Sequence, residues 1–214
     1  MNVVPRALER FAPVLVALAG VLSCSSDPVR SAQREEAGPE LPNIPQGEYH
    51  RAGQQCTACH NSDGSAPDFS IAGTVFYGPK KRQGVKGVVV TMRDSAGKFE
   101  KTTNCVGNFF VRREEWNPKF PVAVSLSFQD GENVQGIAMQ SAIFREGSCA
   151  YCHKKPNATF RSVGHVALTL NEEAEAAYEP PSGCPAPTVA AVGGSGEAVT
   201  SSDGEGGTGG AGGK

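Results

Sequence analysis

Apolar and polar side chains alternate with a period of two through the middle of the chain. In residues 122–129, four apolar side chains fall on one face of an extended backbone, and small or polar ones fall on the other. Residues 88–92 alternate in the same way. The Asp130-Gly131 pair that ends the longer segment is a common hairpin turn. Since a period of two is typical of a half-buried strand, both segments predict β-strands.

Three further extended segments lie in the same region, at residues 70–77, 99–103 and 109–112, with turn residues between them. No segment between residues 70 and 140 has a sustained helical period. Short strands joined by polar turns are typical of an antiparallel β-sandwich. The sequence therefore predicts a mainly β fold, with the sandwich in residues 70–145.

The same region resembles the carboxypeptidase regulatory-like domain, which is an Ig-like sandwich. The matching positions are turn glycines and alternating valines in residues 71–75, 85–90, 94–98, 102–103 and 107–109. Such positions specify a fold better than a function. The resemblance implies an Ig-like topology and carries no catalytic activity over to this chain.

The first 23 residues predict an export signal. Arg6 and Arg10 precede an apolar run at residues 11–22, which is shorter than the ~20 residues that a membrane-spanning helix needs. The run ends in Val21-Leu22-Ser23-Cys24, which resembles the cleavage box of bacterial lipoproteins. The resemblance implies that Cys24 becomes the lipid-bearing N-terminus. An ordinary secretory signal cleaved nearby is the alternative, and it also places the protein outside the cytoplasm.

Cys24 is followed by serine and not by aspartate. By resemblance to enterobacterial lipoproteins, this implies anchoring in the bacterial envelope at the outer membrane. Residues 24–46 contain four prolines and no apolar periodicity, so they predict a flexible tether without a structured element. Residues 186–214 are dominated by glycine and predict a disordered tail.

Composition narrows the chemistry that the chain can perform. Its 214 residues carry a net charge of −2, which gives no electrostatic reason to bind nucleic acid. Seven cysteines are too few for a small disulfide scaffold and too many to be incidental, and there are only four histidines. The question is therefore where the cysteines and histidines lie.

Two copies of the sequence C-x-x-C-H flank the sandwich, at residues 56–60 and 149–153. We call them the first motif and the second motif. This spacing is the attachment signature of c-type haem, in which two thiols form thioethers with the vinyl groups and the adjacent imidazole binds the iron. The segments that contain the motifs are residues 47–69 and 146–185. The predicted haem-bearing cysteines are Cys56, Cys59, Cys149 and Cys152, and the predicted proximal ligands are His60 and His153.

Other interpretations of the two motifs remain open at this point. Four cysteines can bind zinc, but zinc ribbons usually separate their C-x-x-C pairs by about 15–20 residues, and here 89 residues lie between Cys59 and Cys149. Two vicinal disulfide loops, or a haem at one motif only, are further alternatives. A thioredoxin-like role requires a βαβ context, and none is visible.

The two remaining histidines, His50 and His165, are candidates for the sixth iron ligands. His165 follows the second motif closely enough to loop back over its own haem. His50 lies only six residues before Cys56, so we expect it to reach a neighbouring haem more easily than its own. Surface or capping roles are the alternative for both histidines. Met92 and Met139 are the thioether alternatives, although Met92 continues an apolar strand face.

With Cys24 lipidated and four cysteines on haem, Cys105 and Cys184 remain. We expect them to form a disulfide that closes a loop of about 80 residues and stabilises the fold by ~4 kcal/mol. Two unpaired thiols are the alternative. A short helix capped by Asn171 is predicted to extend to Glu179, before a proline pair.

Together these patterns predict a lipid-anchored cytochrome with two covalently attached haem c groups. Its function would be single-electron transfer between redox proteins of the bacterial envelope, with the bilayer contacted through Cys24 and no nucleic acid bound. The sequence contains no nucleophile–base pair, so an enzymatic role is not expected. The alternative function is a haem-free surface adhesion or binding module, in which the C-x-x-C pairs form disulfides or a zinc clamp.

Overall fold

The computed structural model describes residues 27–39, 46–80, 83–130, 133–155, 158–160 and 162–184. Cys24, residues 1–23 and residues 186–214 lie outside these ranges. In chain order the elements are α1 (Pro28–Ala37), a 3₁₀ turn (Cys56–Ala58), β1 (Phe69–Thr74), β2 (Val89–Arg93), β3 (Lys98–Thr102), β4 (Asn108–Arg112), β5 (Ala123–Asp130), β6 (Asn133–Ala138), a second 3₁₀ turn (Cys149–Tyr151), β7 (Ala158–Thr159), β8 (Ser162–Val163) and α2 (Glu172–Ala177).

The largest sheet has four antiparallel strands in the order β3-β2-β5-β6. In its register Val90 lies opposite Leu126, and Leu126 lies opposite Ile137. The period-two apolar positions of neighbouring strands thus occupy the same face of the sheet. A second sheet pairs β1 with β4, also antiparallel. The predicted mainly β, antiparallel class is therefore confirmed, and the two sheets are consistent with a β-sandwich.

A single cluster of buried apolar side chains receives residues from both sheets. Ile71 and Val111 come from the β1–β4 sheet, whereas Val90 and Leu126 come from the four-stranded sheet. Met92 belongs to the same cluster and is fully buried, as its place on an apolar strand face indicated. Met92 is therefore a core residue in this fold rather than an iron-ligand candidate at the surface.

The C-terminal part of the described chain is fastened to the sandwich. Cys184 is bonded to Cys105, which lies in the turn between β3 and β4, so the two cysteines form the expected pair. Helix α2 precedes this bridge, and the side chain of Asn171 caps it by accepting hydrogen bonds from two backbone N–H groups. The helix ends at Ala177, two residues earlier than predicted, because Tyr178 is extended and stacks on Tyr77.

Residues 28–37 form helix α1, so the prediction of a tether without a structured element is wrong for this stretch. Its first turn is capped by Asp27, whose carboxylate accepts from the N–H groups of Val29 and Arg30, and Pro28 occupies the first turn, where its missing N–H costs nothing. The helix has no buried residue. Its sequence has no apolar stripe, because polar side chains attach the helix to the rest of the protein.

In the described part of the chain, no helix has the length and apolar character needed to cross a bilayer.

Candidate functional site

The two motifs fold into the same backbone turn. Each begins with a 3₁₀ turn at its first cysteine, whose carbonyl oxygen accepts from the N–H groups of the second cysteine and of the histidine. These N···O distances are 3.2 and 2.9 Å in the first motif and 3.3 and 2.9 Å in the second. The turn brings both thiols and the imidazole of each motif onto one short loop.

The histidine of each motif is oriented by a backbone carbonyl. The Nδ1 atom of His60 lies 2.9 Å from the carbonyl oxygen of Pro67, and Nδ1 of His153 lies 2.6 Å from that of Gly164. A carbonyl oxygen can only accept a hydrogen bond, so the proton belongs on Nδ1 and the lone pair on Nε2. Metal-binding histidines are commonly held in this way, with one ring nitrogen donating and the other free to coordinate.

The four thiols of the motifs differ in their surroundings. Cys59 and Cys152 are exposed, whereas Cys56 and Cys149 are partly buried. Burial raises the pKa of Cys56 to about 11 and that of Cys149 to about 12, and the neighbouring Cys56 adds to the second shift. Both thiols are therefore protonated at neutral pH.

The motifs flank the sandwich along the chain but lie together in space, against strand β1. The N–H of Phe69 at the start of β1 donates to the carbonyl of His60, and the N–H of Ala72 donates to that of Gly147, just before the second motif. Gly73 provides the room for this packing, because a Cβ atom there would lie 2.7 Å from the Cys149 Sγ. One strand thus supports both turns.

Helix α1 contacts both motifs from outside the sheet. Arg30 donates to the carbonyl of Thr57 at 2.8 Å, and Arg34 donates to that of Ala58 at 3.1 Å. Glu36 forms an ion pair at 3.4 Å with Lys154, the residue after the second motif. Sequence reasoning missed these contacts, although the Asp27-Pro28 pair is a helix-start signal that predicts α1.

The structure places each candidate sixth ligand beside a motif. The rings of His50 and His60 lie 5.7 Å apart, centre to centre. His50 thus lies near the histidine of the motif that follows it. Gly53, with φ of 78°, and Arg51, with φ of 50°, turn the intervening chain back on itself.

His165 is buried beside the second motif. Its Nε2 atom lies 3.4 Å from the carbonyl oxygen of Lys154, and its ring lies 5.0 Å from that of Phe76. The remaining thioether alternative, Met139, lies just beyond β6 and is partly exposed. Of the two methionines considered, neither is placed beside a motif histidine by a described contact.

Aromatic and apolar side chains surround the motifs in two different ways. His60 stacks on Phe69 at 4.0 Å, and Phe69 stacks in turn on Phe110. Near the second motif, Phe160 and Val163 are exposed on the β7–β8 hairpin, which is fixed to the motif by the hydrogen bond from Val163 N–H to the Cys152 carbonyl. The hairpin thus places exposed apolar side chains next to the second motif.

Within the described ranges, no three His, Cys, Asp or Glu side chains are grouped closely enough to hold a metal ion by themselves. Comparison with family models, with curated proteins and with solved structures found no match for this chain. The two motifs are therefore the starting point for any statement about function.

Proposed function

We propose that this chain is a dihaem c-type cytochrome that transfers single electrons in the bacterial cell envelope. The observation that carries the proposal is the shared geometry of the two motifs. In each of them two thiols and an imidazole share one turn, and the imidazole keeps Nε2 available because Nδ1 faces a carbonyl oxygen. A chance pair of C-x-x-C-H sequences would have no reason to repeat this detail at two places so far apart in the chain.

The residues present fit the attachment of two haem groups. Cys56 and Cys59 would hold one haem with His60 as its proximal ligand, and the second motif would hold the other through Cys149, Cys152 and His153. Each thiol adds across a vinyl group, with sulfur bonding one carbon and the hydrogen passing to the other, so no oxidant is needed. The bound iron supplies one-electron redox chemistry, and its potential depends on ligation and exposure.

The surroundings of the motifs support this assignment. Phe69 backs the His60 ring, which fixes the direction of its Nε2 atom. Tyr151, Phe160 and Val163 present apolar surface beside the second motif, where a porphyrin face would cover it. We propose His50 and His165 as the sixth ligands, because each lies next to a motif histidine or its following residue.

The other parts of the proposal follow from the sequence. The β-rich body would be an Ig-like scaffold of the carboxypeptidase regulatory-like type, which holds the two attachment turns. Cys24 would carry the lipid that anchors the protein in the envelope, at the outer membrane. Electron donors and acceptors would be redox proteins of the same compartment, and the chain would bind no nucleic acid.

The test is expression of the full chain together with a c-type cytochrome maturation system. We expect visible absorbance that survives acid–acetone extraction and a mass increase of two haems. In the C56S/C59S variant and in the C149S/C152S variant we expect one haem each, and in the fourfold variant none. The C105S/C184S variant is the matched control, since it removes two cysteines outside the motifs and should keep both haems. A colourless wild-type protein under these conditions overturns the proposal.

The haem-free binding module remains the second candidate. It would require the C-x-x-C pairs to form disulfides or to bind zinc. In the structure the four motif cysteines are free thiols, while Cys105 and Cys184 are bonded to each other. Zinc analysis of the protein purified without haem maturation separates this candidate from the first.

A further inference from the structure

One carboxylate oxygen joins the two motifs. Oε1 of Glu146 accepts a hydrogen bond from the hydroxyl of Thr57 at 2.8 Å and another from the N–H of Ser148 at 3.0 Å. Thr57 is the second residue of the first motif, and Ser148 immediately precedes Cys149 of the second. A single side chain therefore connects the beginnings of both turns.

The environment of this oxygen makes the connection rigid. Thr57 and Ser148 are buried, with 9% and 3% of their surface exposed, and Glu146 is half-buried. Hydrogen bonds to a charged acceptor in such a position are stronger than exposed ones, because water does not compete for the donors. The hydroxyl of Thr57 is held by Glu146 while its carbonyl accepts from Arg30 and Asn61, so the residue is fixed on two sides.

A second connection between the motifs, which also runs through side chains, is weaker. Helix α1 links them through the Glu36–Lys154 pair, whose side chains are partly exposed and 3.4 Å apart. Ion pairs of this kind contribute little to stability. Strand β1 supports both turns through the backbone, so loss of Glu146 should shift one turn relative to the other without detaching either.

We propose that Glu146 is a positioning residue that sets the placement of the second haem attachment turn relative to the first. The inference rests on the proposed function, because its consequence is the mutual placement of two haems. Electronic interaction between two redox groups falls steeply with their separation and depends on their relative orientation. A residue that fixes the two attachment turns to one oxygen atom therefore controls how the two haems interact.

The experiment compares T57V, E146A and E146Q in the full chain that carries two haems. T57V removes only the hydroxyl at nearly constant volume, E146A removes the acceptor, and E146Q retains an oxygen that can accept both hydrogen bonds. E114A is the matched control, since Glu114 is an exposed glutamate that lies outside the motifs. The readouts are the exciton splitting of the Soret band in circular dichroism and the magnetic interaction of the two ferric centres.

We expect all variants to bind two haems. T57V and E146A should show a reduced or reshaped splitting and an altered magnetic interaction, whereas E146Q and E114A should match the wild type. A merely structural role would lower stability without changing these signatures. The inference is overturned if T57V and E146A, with both haems attached, retain the wild-type splitting.

A separate measurement applies if the wild-type chain carries no covalent haem, which would contradict the proposed function. The contact between the turns is then examined on the haem-free chain by a double-mutant cycle of T57V and E146A in urea unfolding. We expect a coupling equivalent to a roughly tenfold change in the unfolding equilibrium constant. Additive effects of the two substitutions would show that Glu146 does not connect the turns.

Discussion

The first and second motifs share a backbone turn but differ in what surrounds it. Around the first motif, Arg30 and Arg34 of helix α1 cover the turn, and the aromatic ring of Phe69 backs His60. Around the second, exposed apolar side chains lie on a two-stranded hairpin. The local sequence determines the turn, whereas the fold determines the cover. We therefore expect two haems with the same attachment and different potentials, because exposure and nearby charge tune the iron.

The largest expected effect weakens the fold that carries both motifs and leaves the difference between the motifs unchanged. The C105S/C184S variant should lose about 4 kcal/mol of unfolding free energy, because the bridge restricts the unfolded chain across about 80 residues. The bridge lies outside both motifs, so both haems should remain bound and their potentials should change little. Urea unfolding and redox titration measure the two properties. A selective loss of one haem would contradict the idea that the sandwich supports both motifs equally.

A substitution on β1 should affect the second motif and leave the first unchanged. In G73A the new Cβ would lie 2.7 Å from the Cys149 side chain and 3.1 Å from the ring of Phe109, so the second turn must move. We expect a loss of roughly 1–3 kcal/mol in unfolding free energy, together with reduced haem occupancy at the second motif alone. G136A is the matched control, because a Cβ there meets no atom within 4 Å. Mass spectrometry of peptides from each motif gives the occupancies, and equal losses at both motifs would be the contradictory result.

The contacts of helix α1 with the first motif can be removed by mutating its two arginines. In R30A/R34A the carbonyls of Thr57 and Ala58 lose their guanidinium donors but keep the amide of Asn61. We expect the free energy of unfolding to fall by about 1–2 kcal/mol. We also expect a glutamate-specific protease to cleave faster after Glu35 and Glu36 of α1. The potential of the first haem should change more than that of the second, which α1 contacts only through the Glu36–Lys154 pair. R112A, which removes an exposed arginine outside α1, is the control and should resemble the wild type.

The smallest expected effect on stability concerns the second motif. Phe160 is fully exposed in the described structure, so F160S should leave the unfolding free energy of the haem-free chain within about 0.5 kcal/mol of the wild type. In the haem-bearing chain the same change removes apolar cover, so we expect a shift in the potential of the second haem alone. L170S is the matched control, since Leu170 is also exposed but lies outside the hairpin. Identical potentials in F160S and the wild type would show that Phe160 does not cover a haem.

The sequence predicted the strands well and the arrangement of the site less well. Alternation in residues 122–129 predicted β5 because one face of that strand enters the core. The pair formed by Cys105 and Cys184 followed from assigning the other five cysteines first. The carbonyls of Pro67 and Gly164 could not be predicted, since a backbone acceptor has no sequence signature. The meeting of the motifs on β1 depends on contacts between residues far apart in the chain, which periodicity does not report.

Helix α1 was missed because its docking uses arginine hydrogen bonds, whereas the search relied on an apolar stripe. The closeness of His50 to His60 also had no sequence signal, because it depends on a sharp turn of the chain at positive φ. Glu146 had no signal of its own in the sequence. Its importance appears only when Thr57 and Ser148 are seen to share its oxygen.

If Cys24 carries a lipid, helix α1 also limits how far the protein could move from the membrane. A lipid on Cys24 would precede the first residue of the helix by only four positions, a span of at most about 14 Å when fully extended. The folded part would then be held close to the bilayer by a short linker, instead of by a flexible tether of more than twenty residues. A redox partner would then have to reach the body within the short distance that this connection leaves above the bilayer.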